Sequence, residues 1–346
     1  MSMDLRSYII RRLLLIIPVL IGVSILIFSV LQLFSPVERA ALFVRTEREM
    51  QDIEGIIKKY GLDQPLHVQY FVWISEVLKG NLGWSKVISM PVLDAIFFFL
   101  PATLELTIYA APLTILVGIW LGKAAAVHRD KTIDHITRTM AIVGWSMPTF
   151  WLAILLLAIF YGNFAIFPPE RLSTEYEIAI LSSESFIRYT RINTIDALLN
   201  GRLDIFIDAI NHLVLPVMTL VIVQVALLMR VMRSSMLESL GQWYVIAARA
   251  KGLDERVVIN KHATRNALIP VITLSGLLVA SMVNGVVITE TVFNYKGIGW
   301  WFVRAATQLD IPAVLGFSLF TAVLFVITNL IVDLLYAYID PRIRLR

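Results

Sequence analysis

The chain has 346 residues, of which 58% are hydrophobic and 16% are charged, and its mean hydropathy is +0.76. These proportions exclude a soluble globular protein, because a water-soluble core of this size cannot cover so much apolar surface. They predict a polytopic membrane protein. In lipid the backbone must close its hydrogen bonds within helices, so the predicted fold class is all-α. The sequence has no cysteine, and its five histidines show no short metal-ligand spacing. We therefore expect this chain to bind neither a metal nor a cofactor.

Six stretches of the chain are long and apolar enough to cross a bilayer, which takes about twenty residues. The first of them is too long and unbroken for a cleaved signal peptide. The third contains Pro148, which predicts a kink. The predicted spans are, in chain order, residues 13–34, 100–122, 140–161, 213–231, 269–292 and 314–338.

The lysines and arginines are distributed unevenly between the two faces of the membrane. Six spans put both termini on one face, and that face carries 17 of the 30 basic residues, mostly close to the spans. The other face carries 13, spread over much longer segments. The positive-inside rule therefore predicts a multi-pass protein of the cell membrane with both termini in the cytoplasm. The net charge of +4 then indicates contact with membrane lipid and not with nucleic acid.

The spans also define the predicted organisation of the chain. Residues 1–34 hold the N-terminus and first span, and residues 35–99 form an extracytoplasmic segment. That segment contains predicted helices over 47–60, ended by Gly61, and over 66–78. Residues 100–346 form a core of five spans. The core carries an outer insertion at about 162–211, predicted to be a small cap without a core of its own, and a cytoplasmic loop at about 232–268.

The cytoplasmic loop is basic and amphipathic, and it is not apolar enough to span. A helix is predicted over residues 243–251, and Gly252 is placed where a helix would stop. Asp254 can cap a second helix that reaches towards Asn266. Two short helices that meet at a glycine could fit a groove on a partner protein. They could equally form an interfacial pair held by anionic lipid.

Polar side chains within apolar spans are costly, and those that occur often line a pathway. The alternative is hydrogen bonding between helices, worth about 0.6 kcal/mol for each bond. We favour this structural role for Asn284 and Asn329. We also favour it for Glu105 and Asp333, because near the ends of spans a carboxylate can reach water or headgroups. The candidates for a translocation path are Gln224, Asn284, Glu290 and Asn329.

Other functional classes leave little trace in the sequence. There is no GxxxxGK[ST] motif, so ATP is not expected to bind this chain. An ion-coupled carrier or channel remains an alternative, although mid-span acidic residues, broken helices in corresponding halves and an internal repeat are not evident. A membrane enzyme would need a deep nucleophile and base. His212 lies only at the outer start of the fourth span, where it is expected to cap or contact an interface, and Trp300 and Trp301 fit an interfacial aromatic belt.

Several motifs occur in a fixed order along nearly the whole chain. They are residues 60–66 (YGLDQPL), 80–85 (GNLGWS), 101–106 (PATLEL), 146–151 (SMPTFW), Ala247-Ala248 followed by Gly252, 265–270 (RNALIP), 290–293 (ETVF), 297–299 (GIG) and 340–342 (DPR). This pattern resembles the dipeptide and oligopeptide permease family of ATP-binding-cassette (ABC) importers, and more narrowly the first of its two paralogous permease subunits. The chain departs from the family pattern at Ile246 (usually Glu), Asn81 (usually Asp) and Lys296 (usually Pro).

The resemblance implies a type I importer fold and a defined set of partners. These are a paralogous permease subunit, two cytoplasmic ABC ATPases that carry ATP and Mg²⁺, and an extracytoplasmic substrate-binding protein. The implied substrates are di- or oligopeptides, with oligosaccharides or nickel chelates as alternatives. The residues implied to couple the chain to the ATPases are Ala247, Ala248, Arg249, Ala250, Lys251, Gly252 and Leu253.

Overall fold

The computed structural model describes residues 5–44, 51–183, 185–283 and 286–339, and these residues are mainly helical. The predicted path residue Asn284 and the 340–342 motif lie outside the described residues, as does the side chain of Asp333. The helices are α1 Leu5–Leu31, α2 Pro36–Ala41, α3 Ile53–Lys59, α4 Leu66–Leu78, α5 Val92–Val127, α6 Thr132–Ser146, α7 Thr149–Leu156, α8 Thr174–Ser182, α9 Asn193–Leu199, α10 Leu203–Leu240, α11 Trp243–Ala250, α12 Glu255–Val283, α13 Val287–Val292, α14 Ile298–Thr307 and α15 Ile311–Ile339. A short antiparallel hairpin pairs β1 Trp84–Ser85 with β2 Met90–Pro91.

Five of the described helices, α1, α5, α10, α12 and α15, are long and apolar enough to cross a membrane. The predicted third span is not one helix, because α6 and the segment Thr149–Asn163 meet at an angle of 102°. Met147 has an extended backbone (φ −79°, ψ 123°) immediately before Pro148. A proline disfavours helical geometry in the residue that precedes it, so the predicted kink is a break between two helices. If this bent pair counts as one span, the total is six.

Two of the helices are much longer than their predicted spans. Helix α5 has 36 residues and α10 has 38, so at 1.5 Å per residue each exceeds the roughly 30 Å of the hydrocarbon core. A window of apolar residues detects only the part inside lipid, whereas the helix continues through polar turns. The predicted fifth span is not helical throughout, because Val286 has a non-helical backbone (φ −95°, ψ 58°) and α13 begins after it as a separate helix.

Helices α5 and α10 form the centre of the core through two glycines spaced four residues apart. A Cβ atom on Gly118 would lie 2.7 Å from Leu228 Cβ, and one on Gly122 would lie 2.6 Å from the Met229 carbonyl oxygen. Such distances leave no room for a side chain, so the two helix backbones approach closely. Met232 packs against the same face and is fully buried.

In the outer segment after α1, the structure agrees with two predictions made from the local sequence. Helix α3 ends at Lys59, and Gly61 has φ +61°, as expected for a C-terminal cap. The predicted helix over 66–78 is confirmed as α4. Asp310, before α15, accepts hydrogen bonds from Ser85 Oγ (2.6 Å) and the Val87 amide (3.0 Å), which fixes the β-hairpin against the last span.

The outer insertion has a core of its own, so the prediction of a coreless cap is wrong. Five buried apolar side chains from α8, α9, the start of α10 and the loop before α8 pack together; they are Leu172, Ile180, Ala197, Ile205 and Ala209. The sequence analysis missed this core because its members are few and separated by polar residues. They converge only when the three helices fold against each other.

Candidate functional site

The predicted coupling residues lie in an exposed helical hairpin, residues 243–257, here called the inner hairpin. Its first arm is α11, and Gly252 makes the turn with φ +76°. The Asp254 carboxylate accepts a hydrogen bond of 2.7 Å from the Arg256 amide and so caps the second arm. The predictions of a helix stop at Gly252 and a cap at Asp254 are therefore confirmed.

The second arm does not end near Asn266 as predicted. It continues without a break as α12 to Val283, passing through a π-helical turn at Val258–Ala263. Polar residues in this stretch suggested a separate short helix. The structure instead has one helix that runs from this polar stretch into the apolar span. Helix α12 thus forms the second arm of the inner hairpin at one end and continues as a stretch long and apolar enough to cross a membrane.

The faces of α11 differ sharply in exposure. Val245 and Ala248, three residues apart, are buried against the main core, whereas Ala247 and Ala250 point outwards. Ala248 therefore anchors the hairpin, and the small outward-facing residues leave its exposed surface open to close contact.

The exposed surface of the inner hairpin combines apolar and basic groups. Trp243 is 83% exposed, and three further apolar side chains on the hairpin, Ile246, Leu253 and Val257, are also exposed. Arg249 donates two hydrogen bonds to Glu255, of 3.1 and 2.7 Å, which tie the two arms together across the turn. Lys251 is exposed beside the turn. An exposed apolar patch of this kind on a rigid hairpin is typical of an interaction site.

A second group of predicted residues lies in a buried polar network near the outer ends of the spans. Glu105 is only 1% exposed, so the expectation that it reaches water or headgroups is wrong. Its carboxylate accepts hydrogen bonds from Arg171 (2.7 Å), the Thr194 amide (2.8 Å) and the Tyr295 hydroxyl (2.7 Å). Burial raises the pKa of Tyr295 well above its usual value, which keeps the phenol protonated as a donor. The network joins α5, the outer insertion and the segment after α13.

Glu290 lies in a neighbouring part of this region and is fully buried. One carboxylate oxygen accepts from Thr103 Oγ1 (2.6 Å) and the other from the Trp300 amide (2.9 Å). These contacts hold the turn between α13 and α14 against α5. Trp301 is also fully buried, so the aromatic-belt interpretation is wrong for this residue, although Trp300 remains partly exposed.

The other predicted path residues are not brought together. Gln224 lies on α10 and Asn329 on α15, both half-buried, and neither side chain makes a hydrogen bond with any described residue. His212 is not at the start of a helix, because α10 begins nine residues earlier at Leu203. Its buried ring lies 2.7 Å from the Pro169 carbonyl oxygen and attaches α10 to the outer insertion.

One ion pair between helices was not identified from the sequence. Arg233 on α10 donates two hydrogen bonds, of 2.6 and 2.7 Å, to the buried carboxylate of Asp134 on α6. Asp134 lies in the first turn of a helix, where acidic residues are common. Nothing in the sequence therefore indicated that it pairs with Arg233, 99 residues later. Within the described residues, His, Asp and Glu side chains form no group of three that could hold a metal ion.

Two family comparisons cover almost all of the chain. Residues 114–345 match the family described as "binding-protein-dependent transport system inner membrane component". Residues 5–115 match the family model for the N-terminal part of such membrane components.

Individual relatives are similar over the same extent. The chain is 40% identical to a probable D,D-dipeptide transport system permease protein of Escherichia coli K12, covering 94% of both chains. It is 37% identical to a dipeptide transport system permease protein of Alkalihalophilus pseudofirmus, covering 98% of this chain and 99% of that one. It is 36% identical to an oligopeptide transport system permease protein of Bacillus subtilis, covering 97% and 99%.

Proposed function

Because the chain belongs to the family of binding-protein-dependent transport system inner membrane components, we propose that it is a permease subunit of an ATP-driven importer of di- or oligopeptides. The peptide substrate is supported by the relatives from three bacteria, which are dipeptide or oligopeptide transport permeases matched from end to end. The permease would form half of a translocation path and would not itself be an enzyme.

The observation that carries the proposal is the continuity of the inner hairpin with the fifth span. A force applied to α11 reaches α12 through a short turn and the Arg249–Glu255 ion pair, with no flexible linker between them. Closure of an ATPase dimer around the hairpin would therefore move the span as a rigid body, which is the motion that alternating access requires.

The residues of the inner hairpin then divide into four roles. Val245 and Ala248 anchor the hairpin to the core, and the outward-facing Ala247 and Ala250 allow a partner groove to approach closely. Gly252 permits the positive φ of the turn. The exposed side chains supply polar and apolar contacts; they are Arg249, Lys251 and Leu253.

The partners follow from the same assignment. ATP and Mg²⁺ would be bound by two ATPase subunits, since this sequence has no phosphate-binding loop of the GxxxxGK[ST] type. A paralogous permease would complete the path, and an extracytoplasmic binding protein would deliver the peptide. The distribution of basic residues supports cytoplasmic termini and a cytoplasmic inner hairpin.

For the path itself we propose Gln224 and Asn329 as lining residues, because their amides have no hydrogen-bond partner among the described residues and could face a polar substrate. Asn284 lies outside the described residues, so we propose it as a lining residue on the sequence alone. Glu290 is better suited to holding the outer end of the path, because Thr103 and the Trp300 amide already engage both of its carboxylate oxygens.

The test is purification of the tagged chain from its own membranes in mild detergent, followed by mass spectrometry of the proteins that co-elute. We expect a second permease, two ATPase chains and a substrate-binding protein, and the binding protein should bind short peptides in preference to oligosaccharides. A chain that elutes alone, or as a pure homo-oligomer, under every detergent and nucleotide condition would overturn the importer and favour a carrier or channel.

A further inference from the structure

A cationic pocket opens between α5, α6 and α10, close to their inner ends. Its volume is about 300 Å³, within the range of small-molecule sites. Ala141 and Met229 form a buried apolar floor, and Thr137 and Ser234 lie at its sides. Three arginines also line it, Arg138, Arg230 and Arg233.

The positive charge of this pocket is only partly balanced. Asp134 is engaged by Arg233 through two hydrogen bonds. Arg138 and Arg230 form no ion pair with any carboxylate in the part of the chain that the structure describes. The Arg230 guanidinium instead lies 5.8 Å from the centre of the Trp145 ring. The positive charge of Arg138 also interacts with Asp134 at longer range, so one carboxylate faces two arginines, and Arg230 adds a third positive group. The pocket keeps a net positive charge, which favours an anionic ligand.

An apolar hollow continues from the cationic pocket into the bend between α6 and α7. The hollow is shallow and wide open, and Ile142, which is 61% exposed, lines both spaces. Its walls also include Met147, Pro148, Phe150 and Trp151. The break at Pro148 creates this hollow, because a straight helix would have no concave side.

The order of these features along α6 matches the shape of a phospholipid. Arg138, Ile142 and Trp145 are spaced by four and three residues, so they form one stripe along the helix. The charge lies at the inner end of the stripe, and the apolar groups lie deeper towards the hollow. Basic pockets between helices on the cytoplasmic side are known to bind the headgroups of anionic lipids.

We propose that this pocket is a specific site for an anionic phospholipid of the cytoplasmic leaflet. The headgroup phosphate would be held by Arg138 and Arg230, and one acyl chain would run over Ile142 into the hollow at the bend. The leaflet depends on the proposed orientation, but the lipid site does not depend on the transport function. A bound lipid would fill the angle between α6 and α7 and so hold the broken span in its bent form.

The test measures phospholipid retention by the purified, assembled complex with native mass spectrometry, during titration with phosphatidylglycerol or phosphatidylcholine. The pocket variant is Arg138→Gln with Arg230→Gln. Both side chains lack a carboxylate partner among the described residues, so their removal leaves no buried acid unpaired. The matched control is Arg129→Gln with Lys131→Gln, which removes two positive charges from the loop between α5 and α6, outside the pocket. Ile142→Ser tests the acyl-chain part.

We expect phosphatidylglycerol to bind the pocket variant at least about tenfold more weakly than the parent, because two basic side chains that attract the headgroup are lost. The control should bind like the parent, and Ile142→Ser should bind measurably more weakly. Equal weakening in the pocket variant and the control would show diffuse attraction and overturn the site. Equal retention of phosphatidylcholine, or displacement by excess inorganic phosphate, would overturn a specific anionic lipid.

A second measurement leaves the side chains of the pocket unchanged. Photoactivatable phosphatidylglycerol, added to the unmodified complex, should label peptides that contain residues 138–151 or 229–234. Labelling elsewhere on the chain would overturn the proposal. So would cross-linking of a photoreactive residue at position 142 to a second permease subunit, because the pocket would then be covered by protein.

Discussion

At the scale of single residues, the buried carboxylate of Glu105 is held by long-range contacts. The partners of Glu105 lie 66, 89 and 190 residues away in the sequence, at Arg171, Thr194 and Tyr295. A carboxylate removed from water is tolerated when several donors replace its hydration. The network therefore holds the outer insertion and the segment after α13 against α5. Its loss should weaken the packing of both segments against α5.

Replacing Arg171 by methionine should destabilise the protein by about 3 kcal/mol, because Glu105 would remain buried without its counter-charge. The matched control is Arg202→Met, which breaks an exposed ion pair with Asp204 in the same insertion and should change stability little. Thermal unfolding in detergent measures both. The double variant Arg171→Met, Glu105→Gln should recover part of the loss, and no recovery would contradict an electrostatic cause.

At the scale of elements, the inner hairpin is a turn between two helices whose geometry depends on one glycine. Gly252 has φ +76°, and apart from its chain neighbours no residue that the structure describes lies within 4 Å of the position of its missing Cβ. A side chain there is strained by the backbone conformation and projects towards any bound partner. The hairpin is otherwise fixed by Val245 and Ala248, which are buried in the core.

Gly252→Trp should abolish peptide uptake while membrane insertion and assembly of the spans stay intact. Gly201→Trp is the control, because Gly201 also has a positive φ (+67°) and open space around it, but it lies in the outer insertion. Uptake by whole cells and ATPase activity stimulated by the binding protein are the measurements. Normal uptake by Gly252→Trp, or equal losses in the two variants, would contradict a coupling role for the hairpin.

At the scale of the whole molecule, orientation decides which partner each surface can meet. The inner hairpin and the pocket of Arg138 and Arg230 share one face, and the Glu105 network and both outer segments share the other. The positive-inside rule assigns the first face to the cytoplasm. Cytoplasmic ATPases can reach the hairpin only in this orientation.

The lack of native cysteine allows a direct test of orientation. Lys79→Cys, in the outer segment, should react with a membrane-impermeant maleimide in intact cells, because Lys79 is well exposed. Lys131→Cys, in the loop between α5 and α6, should react only after the membrane is permeabilised. The reverse pattern would place the inner hairpin outside the cell and remove its coupling role.

Several of these features were predictable from local sequence. Hydropathy identified most of the spans, and the left-handed turns at Gly61 and Gly252 were placed correctly. The break at Pro148 was underestimated as a kink. Helix ends were less predictable, because polar turns extend α5 and α10 beyond the lipid and no apolar window detects them.

The sequence by itself determined the membrane class, the helical fold, the order of the motifs and the positions of the main turns. These depend on hydropathy, capping and φ preferences, which each residue and its near neighbours carry. Only the tertiary structure decided the partners of Glu105, the burial of Trp301, the core of the outer insertion and the convergence of Arg138 with Arg230. These features require segments distant in the chain to meet, and a hydropathy pattern holds no information about which helix faces which.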